Sequence, residues 1–156
     1  MTAVTRARML RSLFTALSLG TFTGMAAGAE TSKPHRVVFH VDQNDPEVMN
    51  QTLNNMRNVL DFYRDRHEEV TMELVAYGPG LHMLREDTSP VKDRIKALSE
   101  VSFPSQITFS ACHNTMEGMA RREGHPIPII AQAGIVPAGV TRLIELQETG
   151  YSYIKP

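Results

Sequence analysis

The chain contains one cysteine, Cys112, within the stretch FSACHNTMEG. A thiolate is the nucleophilic form of cysteine, so a single thiol can attack an electrophilic sulfur or carbon atom. His113 follows directly and could supply a hydrogen-bond donor or a positive charge. Asn114 and Thr115 then open a predicted helix, whose unpaired amides favour a nearby negative charge. The four residues together predict a nucleophilic thiol with a lowered pKa.

The elements that must position this thiol alternate between strands and helices. Apolar spacing predicts helices after Asp45-Pro46, Ser89-Pro90 and Val136-Pro137. A capping box at Asn114 predicts the start of another helix, which ends at Gly124. Short apolar runs predict strands at residues 36–41, 70–77, 107–112, 127–133 and 151–154. This alternation predicts an α/β fold of three layers, α/β/α, flavodoxin-like in general architecture, with a mainly parallel sheet of about five strands.

Several polar residues follow the predicted strands at the point where each strand ends. In a parallel sheet these carboxyl ends share one edge, where ligands bind if the strand order reverses. We therefore expect one rim that gathers Cys112 with the candidate binding residues His40, Tyr77, Gly78, Gly80, His82, Asn114 and Thr115.

The first 29 residues read as a secretory signal peptide. Arg6, Arg8 and Arg11 precede an uncharged run that closes on Ala27-Gly28-Ala29, a small-x-small cleavage pattern. Cleavage there leaves a single domain, residues 30–156, with no stable membrane span and with the periplasm as the expected location. The leader holds three of the 16 basic residues, so the domain carries 13 basic and 17 acidic residues, which argues against a nucleic-acid partner.

Four stretches in series give the chain a resemblance to a known family. They read VVFHVDQNDPEVMNQTLNNMRNVL, VTMELVAYGPGLHML, ITFSACHNTM and GIVPAGVTRLIELQETGYSYIKP. Over residues 37–156 the chain resembles the DsrE/DsrF-like family of sulfur-relay proteins, in particular its small exported members. The resemblance implies a three-layer fold and a cysteine after the third strand, here Cys112, that carries sulfur as a persulfide and passes it on. It also implies a sulfur donor or acceptor, either a protein or a small sulfane-sulfur compound, and a homo-oligomer such as a dimer, trimer or hexamer.

Two other kinds of site remain open from the residues alone. His40, His82, Cys112 and His113 fall at the same rim, and imidazole with thiolate suits zinc or copper, although their spacing matches no ligand motif. Alternatively, the rim belongs to a binding or assembly module in which Cys112 performs no chemistry. No phosphate loop, dinucleotide fingerprint, serine elbow or C-x-x-C pair is present in the sequence, so we predict no cofactor and leave open whether the protein is an enzyme.

Overall fold

The computed structural model describes residues 35–156, and the predicted signal peptide lies outside them. Five strands form one all-parallel sheet in the order β4-β3-β2-β1-β5. The strands are β1 His35–Val41, β2 Val70–Ala76, β3 Gln106–Cys112, β4 Ala133–Val136 and β5 Ser152–Ile154. The helices are α1 Pro46–Arg64, a 3₁₀ helix Gly78–Leu84, α2 Lys92–Glu100, α3 His113–Glu123 and α4 Gly139–Glu148. The predicted α/β fold is thereby confirmed, and within residues 35–156 no helix is long and apolar enough to cross a membrane.

The strand order decides which helices share a face of the sheet. From β1 to β4 the chain moves across the sheet in one direction, and right-handed crossovers then put α1, α2 and α3 on the same side. After β4 the chain returns past β1 to β5, so α4 lies on the opposite side. The larger core accordingly joins the sheet to α1, α2, α3 and the 3₁₀ helix. The smaller core contains Val38, Val75, Leu143 and Leu146 beneath α4.

Local signals place the start of α1 and the end of α3 where the sequence predicts them. Asp45 caps α1, with its Oδ1 accepting a hydrogen bond from the Glu47 amide at 2.8 Å, and Pro46 begins the helix. Gly124 ends α3 in the left-handed conformation, with φ 77°.

The fourth strand is where the sequence prediction was wrong. Residues 127–133 were expected to form it, but the strand is Ala133–Val136. The earlier segment runs instead beside the end of the 3₁₀ helix, where the Ile130 amide donates to the Leu84 carbonyl at 3.0 Å. The physical reason is that Pro126 and Pro128 have no amide proton to donate to a strand ladder.

Candidate functional site

Cys112 is both the last residue of β3 and the N-cap of α3. Asn114 was predicted to be the cap, and this was wrong, because α3 begins at His113. Cys112 already has the extended backbone conformation of a cap, with φ −73° and ψ 115°, so the strand passes directly into the helix. The thiol therefore lies closer to the helix N-terminus than the sequence indicated.

The sheet brings a second helix N-terminus to the same sulfur. β3 and β4 are neighbours, yet the helices that follow them, α3 and α4, lie on opposite faces of the sheet. Such a switch point opens a crevice at the carboxyl ends of the two strands. There the Asn114 amide donates to the Pro137 carbonyl at 3.3 Å, joining the start of α3 to the segment that leads into α4.

The surroundings of Cys112 favour its charged form. Burial alone raises the pKa of the thiol. It is outweighed by the Thr115 hydroxyl and by the backbone amides of Gly139, Thr115 and Asn114, so the pKa lies below the ordinary value for cysteine. These amides belong to the N-termini of α3 and α4. The Cys112 side chain itself makes no capping hydrogen bond to α3. The Thr115 oxygen accepts from the Gly78 amide at 3.0 Å, which leaves its hydroxyl proton for the sulfur.

Tyr77 lies beside Cys112 and closes the site on the α4 side. The start of α4 packs against its ring, since a Cβ atom at Gly139 would come within 2.7 Å of Tyr77 Cδ1. Burial, then the charges of Asp42, Tyr153 and Cys112, raise the pKa of the Tyr77 phenol, so it stays protonated. Only 4 % of the surface of Cys112 is exposed, so the residue is almost fully covered by its neighbours.

His40 supports Tyr77 from the next strand. The two rings stack with centroids 4.6 Å apart, and His40 Nδ1 shares a hydrogen bond of 2.7 Å with the Tyr153 hydroxyl. Burial lowers the pKa of His40; the Asp42 carboxylate opposes this effect and Lys155 adds to it. His40 is therefore neutral at neutral pH, and its buried Nε2 has no hydrogen-bond partner among the described residues.

A cleft of about 430 Å³ lies between α3 and the 3₁₀ helix. Thr115 connects it to the thiol, because Thr115 both lines the cleft and favours the charged sulfur. Cys112 itself does not line this cleft. The complete lining is Asn44, Gly78, Pro79, His82, Asn114, Thr115, Gly118, Met119 and Arg122.

The remaining predicted residues, Gly80, His113 and His82, show no hydrogen bond to Cys112 within residues 35–156. Gly80 packs against the end of β1, where a Cβ atom would lie 2.3 Å from the Val41 carbonyl oxygen. His113 is exposed on the first turn of α3. His82 bonds Thr88 Oγ1 through its Nδ1 at 2.8 Å.

The four residues of the alternative metal site do not form a ligand set. His40 is stacked on Tyr77, His82 lies in the cleft and His113 faces solvent. Across residues 35–156, no group of three or more histidine, cysteine, aspartate or glutamate side chains is placed to hold a metal ion.

Sequence reasoning missed two residues of this region. Gly139 is distant in sequence from Cys112. The signal available was its own position, since a glycine directly after Pro137-Ala138 is an unusual start for a helix. Arg122 lines the cleft, and the signal available was Gly118, a glycine inside a helix one turn earlier.

Comparison with known proteins assigns this parallel five-stranded domain to a family. The family model described as DsrE/DsrF-like matches residues 36–156, and the chain belongs to that family. Among solved structures it is similar to MTH1491, a protein of unknown function from Methanobacterium thermoautotrophicum. The two share 30% sequence identity and a TM-score of 0.65, over 78% of this chain and 99% of the other. No curated protein matches the chain.

Proposed function

We propose that this protein is a sulfur carrier that holds sulfane sulfur as a persulfide on Cys112. The observation that supports the proposal is the convergence of two helix N-termini, those of α3 and α4, on one thiol. Their amides favour a thiolate, which is the form that attacks a persulfide. Membership of the DsrE/DsrF-like family agrees with this chemistry at the level of the superfamily.

The transfer step balances without a redox partner. The Cys112 thiolate attacks the outer sulfur of a donor R–S–SH, forming Cys–S–SH while the S–S bond of the donor breaks and R–S⁻ leaves. The leaving thiolate takes a proton from water. A carrier returns the sulfur to an acceptor by the reverse type of step, and it needs no further catalytic residue.

Mass spectrometry of the protein after polysulfide treatment tests the proposal. We expect the wild type to gain about 32 Da, the mass of one sulfur atom, and to lose it on reduction with a thiol. The Cys112→Ser variant keeps the size of the side chain and should gain nothing. An equal gain in both proteins, or no gain in either, contradicts the proposal.

A second candidate is a binding or assembly module with an inert thiol. The observation that favours it is the burial of Cys112, of which 4 % is exposed. Alkylation of the native protein separates the two candidates. A carrier should react more readily as the pH rises through the pKa of the thiol, whereas an inert thiol should resist reagent until the protein unfolds.

The proposal also covers the location and the partners of the protein. We propose export through residues 1–29 to the periplasm, where a protein or a small sulfane-sulfur compound would donate or accept the sulfur. We also propose a homo-oligomer. Supporting it are apolar side chains that are exposed on β4, on α4 and on β5, namely Ile135, Val140, Ile144 and Tyr153.

A further inference from the structure

The cleft beside Cys112 is lined by one arginine and by no carboxylate. Arg122 and His82 line it, together with the amide side chains of Asn44 and Asn114 and the hydroxyl of Thr115. Its volume of about 430 Å³ lies within the range of roughly 300–1,000 Å³ that small-molecule sites occupy. The lining therefore favours a small anion.

The position of Arg122 depends on a glycine in the middle of α3. Asn114, Gly118 and Arg122 are spaced four residues apart and share one face of the helix. A Cβ atom at Gly118 would lie 3.6 Å from the Arg122 Nη1, so the guanidinium extends back over Gly118 towards the helix N-terminus. Glycine weakens a helix interior, so Gly118 makes α3 less stable. Its missing side chain leaves open space in the cleft.

The carboxylates on the same helix already have cationic partners. Glu123 pairs with Arg85 at 2.7 Å, and its other oxygen lies 3.7 Å from His125. Glu117 lies 3.8 Å from Arg121. Arg122 makes no ion pair and no hydrogen bond with any residue in the range 35–156. It is the cation on α3 that remains available to a ligand.

We infer that the cleft binds the anionic group of a small sulfane-sulfur donor, with Arg122 as the main contact, and so delivers the donor to Cys112. This inference rests on the proposed carrier function and adds the class of donor: a low-molecular-weight persulfide that bears a carboxylate or a similar anion. Thr115 links the two places, since it lines the cleft and its hydroxyl lowers the pKa of Cys112. The chemical step is the one given above, in which the donor leaves as a thiolate that retains its anionic group.

Two donors that differ by one charge test the inference. N-acetylcysteine persulfide carries a carboxylate, and its methyl ester does not. The rate of Cys112 persulfidation would be measured for each donor by rapid quenching and mass spectrometry. We expect the wild type to react about fivefold faster with the acid than with the ester, the factor that one ion pair supplies.

Two arginine variants distinguish an effect of the cleft on the rate from an effect of the protein's net charge. Arg122→Gln should lower the rate with the acid about fivefold and leave the rate with the ester unchanged. Arg66→Gln removes the same charge from an exposed side chain before β2 that does not line the cleft, and it should change neither rate. Thermal unfolding of both variants checks that the fold is intact.

The outcomes distinguish the inference from the function on which it rests. If both donors modify Cys112 at equal rates in all three proteins, the anion site is wrong and the carrier function stands. If neither donor modifies Cys112, the carrier function fails. Binding of a non-reactive ligand then tests whether the cleft binds an anion. S-methyl-N-acetylcysteine should then shift the amide resonances of Asn114, Thr115 and Gly118 in wild type but much less in Arg122→Gln. An absence of shifts overturns the inference.

Discussion

The acidity of Cys112 is set by a few contacts at the scale of single residues. Burial works against a thiolate, and the hydroxyl of Thr115 is the side-chain group that works for it. The Gly78 amide holds that hydroxyl by donating to its oxygen at 3.0 Å. The orientation of the Thr115 hydroxyl proton therefore depends on the first residue of the 3₁₀ helix.

We predict that Thr115→Val raises the pKa of Cys112 towards its ordinary value. Valine keeps the branched shape but donates no hydrogen bond to the thiolate, so the charged form loses stabilisation. The pH at which alkylation by iodoacetamide reaches half its maximal rate should move upwards. Thr115→Ser, which retains the hydroxyl, should stay close to wild type, and an unchanged midpoint in the valine variant would show that the hydroxyl does not act on the sulfur.

At the scale of elements, two helical glycines near the site have opposite roles. Gly118 lies within α3, and the nearest atom to a Cβ built there is 3.6 Å away, an ordinary contact. Gly139 begins α4, and a Cβ there would collide with the ring of Tyr77 at 2.7 Å. One glycine leaves a cleft open, and the other lets α4 approach β2 closely.

Alanine at these two glycines should therefore change stability in opposite directions. We expect Gly118→Ala to raise the free energy of unfolding by about 0.5–1 kcal/mol, the propensity difference between the two residues in a helix. Gly139→Ala should lower it by about 1–3 kcal/mol, the usual cost of overpacking. Urea denaturation of both variants measures the effect, and a stabilised Gly139→Ala protein would mean that Tyr77 moves away without cost.

At the scale of the whole molecule, the two faces of the sheet are covered unequally. The α1, α2 and α3 helices cover one face, whereas α4 alone covers the other among the described residues. Glu73 and Arg142 hold α4 in place through two hydrogen bonds of 2.7–2.8 Å, and Ser110 donates to Glu73 at 2.6 Å. The outer side of α4 carries two exposed apolar side chains, Val140 at 54% and Ile144 at 51%.

We predict that the paired change Val140→Glu and Ile144→Glu converts the proposed oligomer into a monomer. The two residues are one helical turn apart, so two carboxylates would be buried in any interface that covers this side of α4. Sedimentation velocity of the domain measures the change in mass. Val101→Glu, a similar substitution at the end of α2, serves as the control, and a wild type that is already monomeric contradicts the proposal.

The sequence by itself determined the order of most elements and one essential feature of the site. Apolar spacing and the Asp45-Pro46 start are local signals, so they predicted α1 without knowledge of the fold. The end of β3 was predicted in the same way, and with it the position of Cys112 at the carboxyl edge of a parallel sheet. Where local signals were mixed, as in the proline-containing segment before β4, the prediction was wrong.

Only the tertiary structure decided what surrounds the thiol. No local pattern states which strands become neighbours, and the order β4-β3-β2-β1-β5 is what brings the start of α4 to the end of β3. The same packing covers Cys112 and places Tyr77 and His40 in one stack beside it. The burial of the thiol and the meeting of two helix N-termini both depend on residues that are far apart in the chain. A single thiol in the sequence therefore indicated that chemistry was possible, and folding set its acidity and its access to solvent.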